Sequence, residues 1–123
     1  MGGGKGAEGD VAMAILDQDV LNRIVEEVVR AAEPEQVYVF GSLARGEARE
    51  GSDLDLLVVE REDFGKGRSR FQETNRIYKA LSGFRIPVDV LLYSSSEFAR
   101  WRGSLNHVVG RCAREGRLLY ERH

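Results

Sequence analysis

Two short apolar runs separated by a glycine turn constrain this chain more than anything else in it. Gln36-Val37-Tyr38-Val39-Phe40 is β-rich and stops at Gly41-Ser42, which reads as a strand running into a tight turn. Asp53-Leu54-Asp55 then opens a second run, Leu54–Val59, apolar except for Asp55. Side chains alternate along a strand, so Asp53 and Asp55 share one face while Leu54, Leu56 and Val58 point into a core. Two like charges side by side repel, and burial makes the repulsion worse. A third acid, Asp89, sits between Val88 and Val90 in a later β-rich run. It reaches the same patch if the two strands are neighbours. A hard divalent cation with oxygen ligands offsets such repulsion, and Mg²⁺ takes one or two carboxylates plus phosphate oxygens. Three acids suffice for two ions serving the attacking and leaving oxygens of an in-line displacement.

The turn supplies the other half of the chemistry. Backbone N–H groups exposed where a strand gives way to a glycine turn bind phosphate without side-chain help. Ser42 adds a hydroxyl, and Arg45 a planar cation suited to polyphosphate. The segment is not a Walker A loop, because Glu47-Ala48 stand where Lys and Ser/Thr are required. Alone, Asp-x-Asp is usually a solvated strand face and Gly-Ser usually only a turn. Their conjunction, with a third acid inside a later strand, carries the reading.

The rest of the chain supplies a frame. Val20, Leu21, Ile24, Val25, Val28 and Val29 fall at helical spacing between Asp17, an N-cap candidate, and Pro34. Glu60–Gly67 reads as a loop. Arg68 to about Phe84 reads as a helix with Phe71, Ile77, Tyr78 and Leu81 inward. Ile86-Pro87 opens a strand over Val88–Tyr93, and Ser94 with Glu97 forms a capping box. A further helix over Leu105–Arg114 ends at Gly116, followed by a short strand around Leu118–Tyr120. The order α β β α β α β, without repeats, predicts an α+β (mixed α/β) domain: a small mixed sheet with helices packed on it. Residues 1–10 read as a flexible tail and 11–123 as a single domain.

Composition removes several classes. A formal net charge of −2 offers no basic footprint, so direct nucleic-acid binding is not expected. Arginine nonetheless dominates the 18 positive residues; nucleotide composition of the coding sequence is the favoured explanation, with anions or a partner surface the other. No run approaches a membrane span, and Met1–Gly6 lacks both a signal peptide and the myristoylation pattern. Cys112 is the single cysteine, which excludes an intramolecular disulfide and fits a reducing cytoplasm. His107 reads as a packed or surface residue on a helix, Tyr38 and Phe40 as core, Cys112 as a small buried hydrophobe. Trp101 reads as a half-buried loop residue, with an anchoring role open because arginines flank it.

The Gly41-Ser42 … Asp53-Leu54-Asp55 arrangement resembles the signature of the DNA polymerase β-like nucleotidyltransferase superfamily. The string Gly-Ser-Leu-Ala-Arg-Gly-Glu-Ala-Arg-Glu-Gly-Ser-Asp-Leu-Asp-Leu-Leu-Val, from Gly41, is similar to its minimal, MntA-like branch. The resemblance covers about residues 17 to 122, including the closing Glu-Gly-Arg-Leu-Leu-Tyr-Glu. It implies Asp53 and Asp55 as metal ligands, Asp89 as third ligand and base, and Gly41 and Ser42 as holders of a nucleoside triphosphate. It also implies two Mg²⁺ ions and transfer of a nucleotide, AMP from ATP, to a hydroxyl with release of pyrophosphate. Residues 90–123 leave no room for an acceptor-gripping domain, so the acceptor is expected on a partner. By analogy that partner is a HEPN-type helical toxin with this chain as its antitoxin. Two alternatives stay open: a stand-alone enzyme acting on a small molecule such as an aminoglycoside, its cleft completed by a homodimer, and a non-catalytic nucleotide-binding module.

Overall fold

A computed structural model describes residues 18–42, 44–46 and 53–122. The expected tail, the Asp17 cap, Leu43 and residues 47–52 lie outside the described residues. Among the described residues, four helices and four strands follow in the order α1 (Gln18–Ala32), β1 (Gln36–Phe40), β2 (Leu54–Glu60), α2 (Arg70–Ala80), β3 (Val88–Ser94), α3 (Ser95–Trp101), α4 (Val108–Glu115) and β4 (Arg117–Glu121). The strands form one mixed sheet in the order β3-β2-β1-β4. β1 is antiparallel to both β2 and β4, while β2 and β3 are parallel. Parallel neighbours need a crossover, and α2 provides it. The α+β expectation holds.

β2 is apolar nearly throughout because helices cover both of its faces. On one face Leu54, Leu56 and Val58 join Leu21, Ile24 and Val28 of α1, Ile77 of α2, and Val37, Val39, Val90 and Leu92. On the other, Leu57 and Val59 meet Phe98 of α3 and Val109 and Cys112 of α4, with Tyr38, Phe40 and Tyr93 packed around them. Tyr38 stacks on Phe98 with ring centroids 5.4 Å apart. Burial pushes the Cys112 thiol up to about 12, which leaves it an inert core group. Among the described residues, no helix is long and apolar enough to cross a membrane.

Several local expectations change. α2 is shorter than the sequence suggests: Ser69 caps it, accepting from the Gln72 N–H at 3.2 Å, and it ends at Ala80. Phe71 faces solvent at 73% exposure, so only Ile77 and Leu81 of the expected inner face are buried. Tyr78 is partly exposed and accepts a hydrogen bond from the Val90 N–H at 2.8 Å, tying α2 to β3 rather than filling the core. Glu60 belongs to β2, not to a loop. It is buried and ion-paired with Arg68. The capping box at Ser94 and Glu97 is present and starts a helix of its own, α3. Trp101 is the last residue of α3, not a loop residue, and its ring stacks on His107 at 4.5 Å. His107 precedes α4 as its cap, with Nδ1 accepting from the Val109 N–H at 3.1 Å.

Candidate active site

Strand directions gather the candidate residues at one end of the sheet. β1 ends at Phe40, and its antiparallel partner β2 begins beside it, so Phe40 pairs with Asp55. β3 runs parallel to β2, so its first residues lie at the same end and Asp55 pairs with Asp89. Neighbouring strands are about 4.8 Å apart. Phe40, Asp55 and Asp89 thus form a single row, with Asp53 just before β2 on the side of Asp55. Asp53 and Asp89 are exposed, and Asp55 between them is half-buried.

Gly41 completes the row from the turn side. Its φ of +75° suits glycine, and a Cβ there would overlap Asp55 Oδ2. The missing side chain is what leaves the carboxylate open toward the turn. The Arg45 N–H donates to the Gly41 carbonyl at 3.2 Å and closes one turn of backbone after the strand. Ser42 lies half-buried in that turn. The Asp55 carboxyl is held above its ordinary range, first by burial, then by the Asp89 and Asp53 charges; Arg45 opposes them. Both neighbouring acids and Arg45 thus act electrostatically on Asp55.

The donor set suits a hard divalent cation: oxygen ligands only, mutually repelling, with the Gly41 notch beside the central one. Among the described residues no group of three or more acidic, histidine or cysteine side chains is arranged to hold a metal ion. Mg²⁺ is not thereby disfavoured, because it needs only one or two carboxylates and takes its remaining ligands from water and phosphate. The acids are juxtaposed but not drawn into a closed cage, as three like charges dictate.

A cavity lies at the other end of the molecule. About 340 Å³ opens at the opposite end of the sheet, against Glu60, Arg61, Glu62, Arg68, Arg76 and Arg122. That end is an ion-pair network, with Arg68 bonded to Glu60 and Arg76 3.4 Å from Glu73. Of the acid row, Asp53 and Asp89 are exposed to solvent. Sequence reasoning missed one neighbour of the turn, Glu115, whose Oε1 lies 3.8 Å from Arg45 Nη1. The closing Glu-Gly-Arg-Leu-Leu-Tyr-Glu string contained it, but spacing alone cannot place the end of a chain beside its middle.

A mixed four-stranded sheet with this helix order is the architecture of an α+β nucleotidyltransferase. The nucleotidyltransferase domain family matches residues 21–112. Protein adenylyltransferase MntA of Thermococcus cleftensis is 40% identical over 76 residues, 60% of this chain and 71% of that protein. The MJ0435 protein of Methanocaldococcus jannaschii is 40% identical over 57 residues, 46% of this chain, and the match spans only 57% of its length. A Sulfolobus solfataricus crystal structure described as a nucleotidyltransferase superposes with a TM-score of 0.58 at 27% identity, covering 85% of this chain and 79% of that one. A toxin–antitoxin crystal structure with AMP-PNP shares the fold, with a TM-score of 0.51 at 19% identity over 82% of this chain and 73% of that one. The chain belongs to the nucleotidyltransferase domain family, in the MntA-like branch of the polymerase β-like nucleotidyltransferases.

Proposed function

We propose that this transferase moves AMP from ATP to a hydroxyl group on a partner protein, a HEPN-type helical toxin for which it is the antitoxin. The observation that carries the reading is the row Phe40–Asp55–Asp89, which sets two carboxylates beside the Gly41 turn. The relative named protein adenylyltransferase and the toxin–antitoxin structure with AMP-PNP support the choice of acceptor and nucleotide. Divalent cations are general in the family; Asp53, Asp55 and Asp89 would hold them here. When bound they neutralise phosphate charge and polarise the reacting oxygens.

The chain's own groups divide the remaining work. The Gly41-Ser42 turn offers backbone N–H groups and a hydroxyl to the triphosphate, and Arg45 faces its charge. The acceptor oxygen attacks the α-phosphorus opposite the bridging oxygen to the β-phosphate. Its proton passes to Asp89, the P–O bond to the β-phosphate breaks, and the bonding pair departs with pyrophosphate. Trp101, partly exposed and flanked by exposed Arg100 and Arg102, is the anchor proposed for the partner. Incubation with labelled ATP, Mg²⁺ and the product of the adjacent gene should place an adenylyl group on a tyrosine of that protein, read by mass spectrometry, and Asp53→Asn should abolish it. Label on an aminoglycoside or another small alcohol, with the neighbour untouched, would reject the antitoxin reading.

A further inference from the structure

β3, which carries Asp89, lies at one edge of the described sheet, beside β2. The Leu54 N–H donates to the Pro87 carbonyl at 2.9 Å. Backbone groups alternate sides along a strand, so Asp89, Leu91 and Tyr93 turn theirs toward β2, while Val90, Leu92 and Ser94 turn theirs outward. An open edge leaves such outward groups to water or to another strand. Here side chains take them instead. Tyr78 Oη accepts from the Val90 N–H at 2.8 Å, Arg70 donates to the Leu92 carbonyl at 2.6 Å, and Glu97 Oε1 accepts from the Ser94 N–H at 2.9 Å.

The three ties differ in what lies beside them. Those from Arg70 and Glu97 hold the later part of β3, away from the acids. The Tyr78 tie falls on the residue directly after Asp89. Val90 is itself buried, and a buried N–H without a partner is costly. Asp89 is thus bracketed by two backbone bonds, from Pro87 to β2 on one side and from Val90 to Tyr78 on the other. It needs holding. Asp89 pairs directly with Asp55, and like charges facing each other across neighbouring strands push apart. A bound cation offsets that repulsion; before it arrives, the backbone ties oppose it.

We propose that Tyr78 is a positioning residue: its hydroxyl, bound to the N–H of the residue after Asp89, holds the start of β3 so that Asp89 stays opposite Asp55 and the two share a divalent cation. The proposal rests on the reading of Asp53, Asp55 and Asp89 as cation ligands. It gives the crossover helix α2 a part in the site, although α2 itself contributes no acid to the row.

The test is Mn²⁺ binding to the nucleotide-free full chain, followed by electron paramagnetic resonance of the free ion, together with hydrogen exchange of the Val90 amide. Tyr78→Phe should weaken Mn²⁺ binding several-fold and speed exchange of that amide, which is protected in the wild type. Arg70→Ala removes the tie at Leu92 and should leave the Mn²⁺ affinity of the folded protein unchanged. In the Asp89→Asn background Tyr78→Phe should have no further effect, because neither the repulsion nor the ligand remains. Unchanged Mn²⁺ affinity in Tyr78→Phe, an equal loss in Arg70→Ala, an equal loss with and without Asp89, or an unprotected Val90 amide in the wild type overturns the proposal. Wild-type binding that Asp89→Asn does not weaken overturns the ligand assignment instead, and a wild-type chain that binds no Mn²⁺ overturns both.

Discussion

Asp55 carries opposing demands: half-buried, flanked by two acids, and opposite the turn proposed to receive phosphate. Its folded-state carboxyl lies above the ordinary value of 3.8, so folding favours its protonated form. The associated stability is fully present below the unfolded value and is lost as pH rises through the raised folded value. Asp55→Asn should therefore stabilise the fold at neutral pH, by about 0.2–1 kcal/mol on the scale of like charges facing each other across strands. Thermal unfolding at pH 7 should show the gain, and at pH 3 the difference from wild type should shrink. Lower stability of the variant at pH 7 would mean that the carboxylate is satisfied in a way the repulsion argument omits. Gly41→Val should cost both fold and nucleotide binding, since its φ is positive and its Cβ overlaps Asp55; normal ATP affinity by calorimetry would remove the turn from the phosphate site. These residues were legible in the sequence because strand alternation and turn chemistry are local rules. Glu115 was not, because its partner is Arg45, far away along the chain.

At the scale of elements, strong local signals survived and weak periodicity did not. The α1 stripe and the Ser94–Glu97 box appear as read, the latter with Ser94 N–H donating to Glu97 Oε1 at 2.9 Å and Glu97 N–H to Ser94 Oγ at 3.2 Å. α2 was misjudged because apolar residues were assumed to face inward. Polar ties add to the buried Ile77 in placing it: Arg70 reaches the Leu92 carbonyl at 2.6 Å and Glu97 at 3.0 Å, and its guanidinium lies 4.6 Å from the Phe64 ring centre. Just before it, Arg68 pairs with Glu60, which is buried on the core face of β2. Burial raises the Glu60 carboxyl, and the Arg68 hydrogen bond works against that rise. Removing one partner of a buried pair strands the other, so Arg68→Ala should destabilise the fold by about 3 kcal/mol in urea denaturation. Because this pair sits at the far end of the sheet, Mn²⁺ affinity of the folded fraction should be unchanged. A loss below 0.5 kcal/mol, an order of magnitude typical of exposed pairs, would show that Glu60 is less dependent on Arg68 than its burial implies.

For the whole molecule, one consequence of strand direction organises everything else. An antiparallel β1–β2 pair, a parallel β2–β3 pair and an antiparallel β1–β4 pair place the end of β1 and the starts of the other three strands at one end of the sheet. The Gly41-Ser42 turn, the acid row and the α4–β4 corner meet there, while the Glu60–Arg68 pair, with Glu60 buried, occupies the other end. That separation should let chemistry and stability be altered independently. The acid row tests it most directly. Formation of labelled adenylyl product from α-labelled ATP should be measured with Mg²⁺ and the partner protein, for wild type and for Asp55→Asn shown by thermal unfolding to be folded. The account predicts Mg²⁺-dependent transfer by the wild type and none above background by the folded variant. Full transfer by folded Asp55→Asn would contradict it.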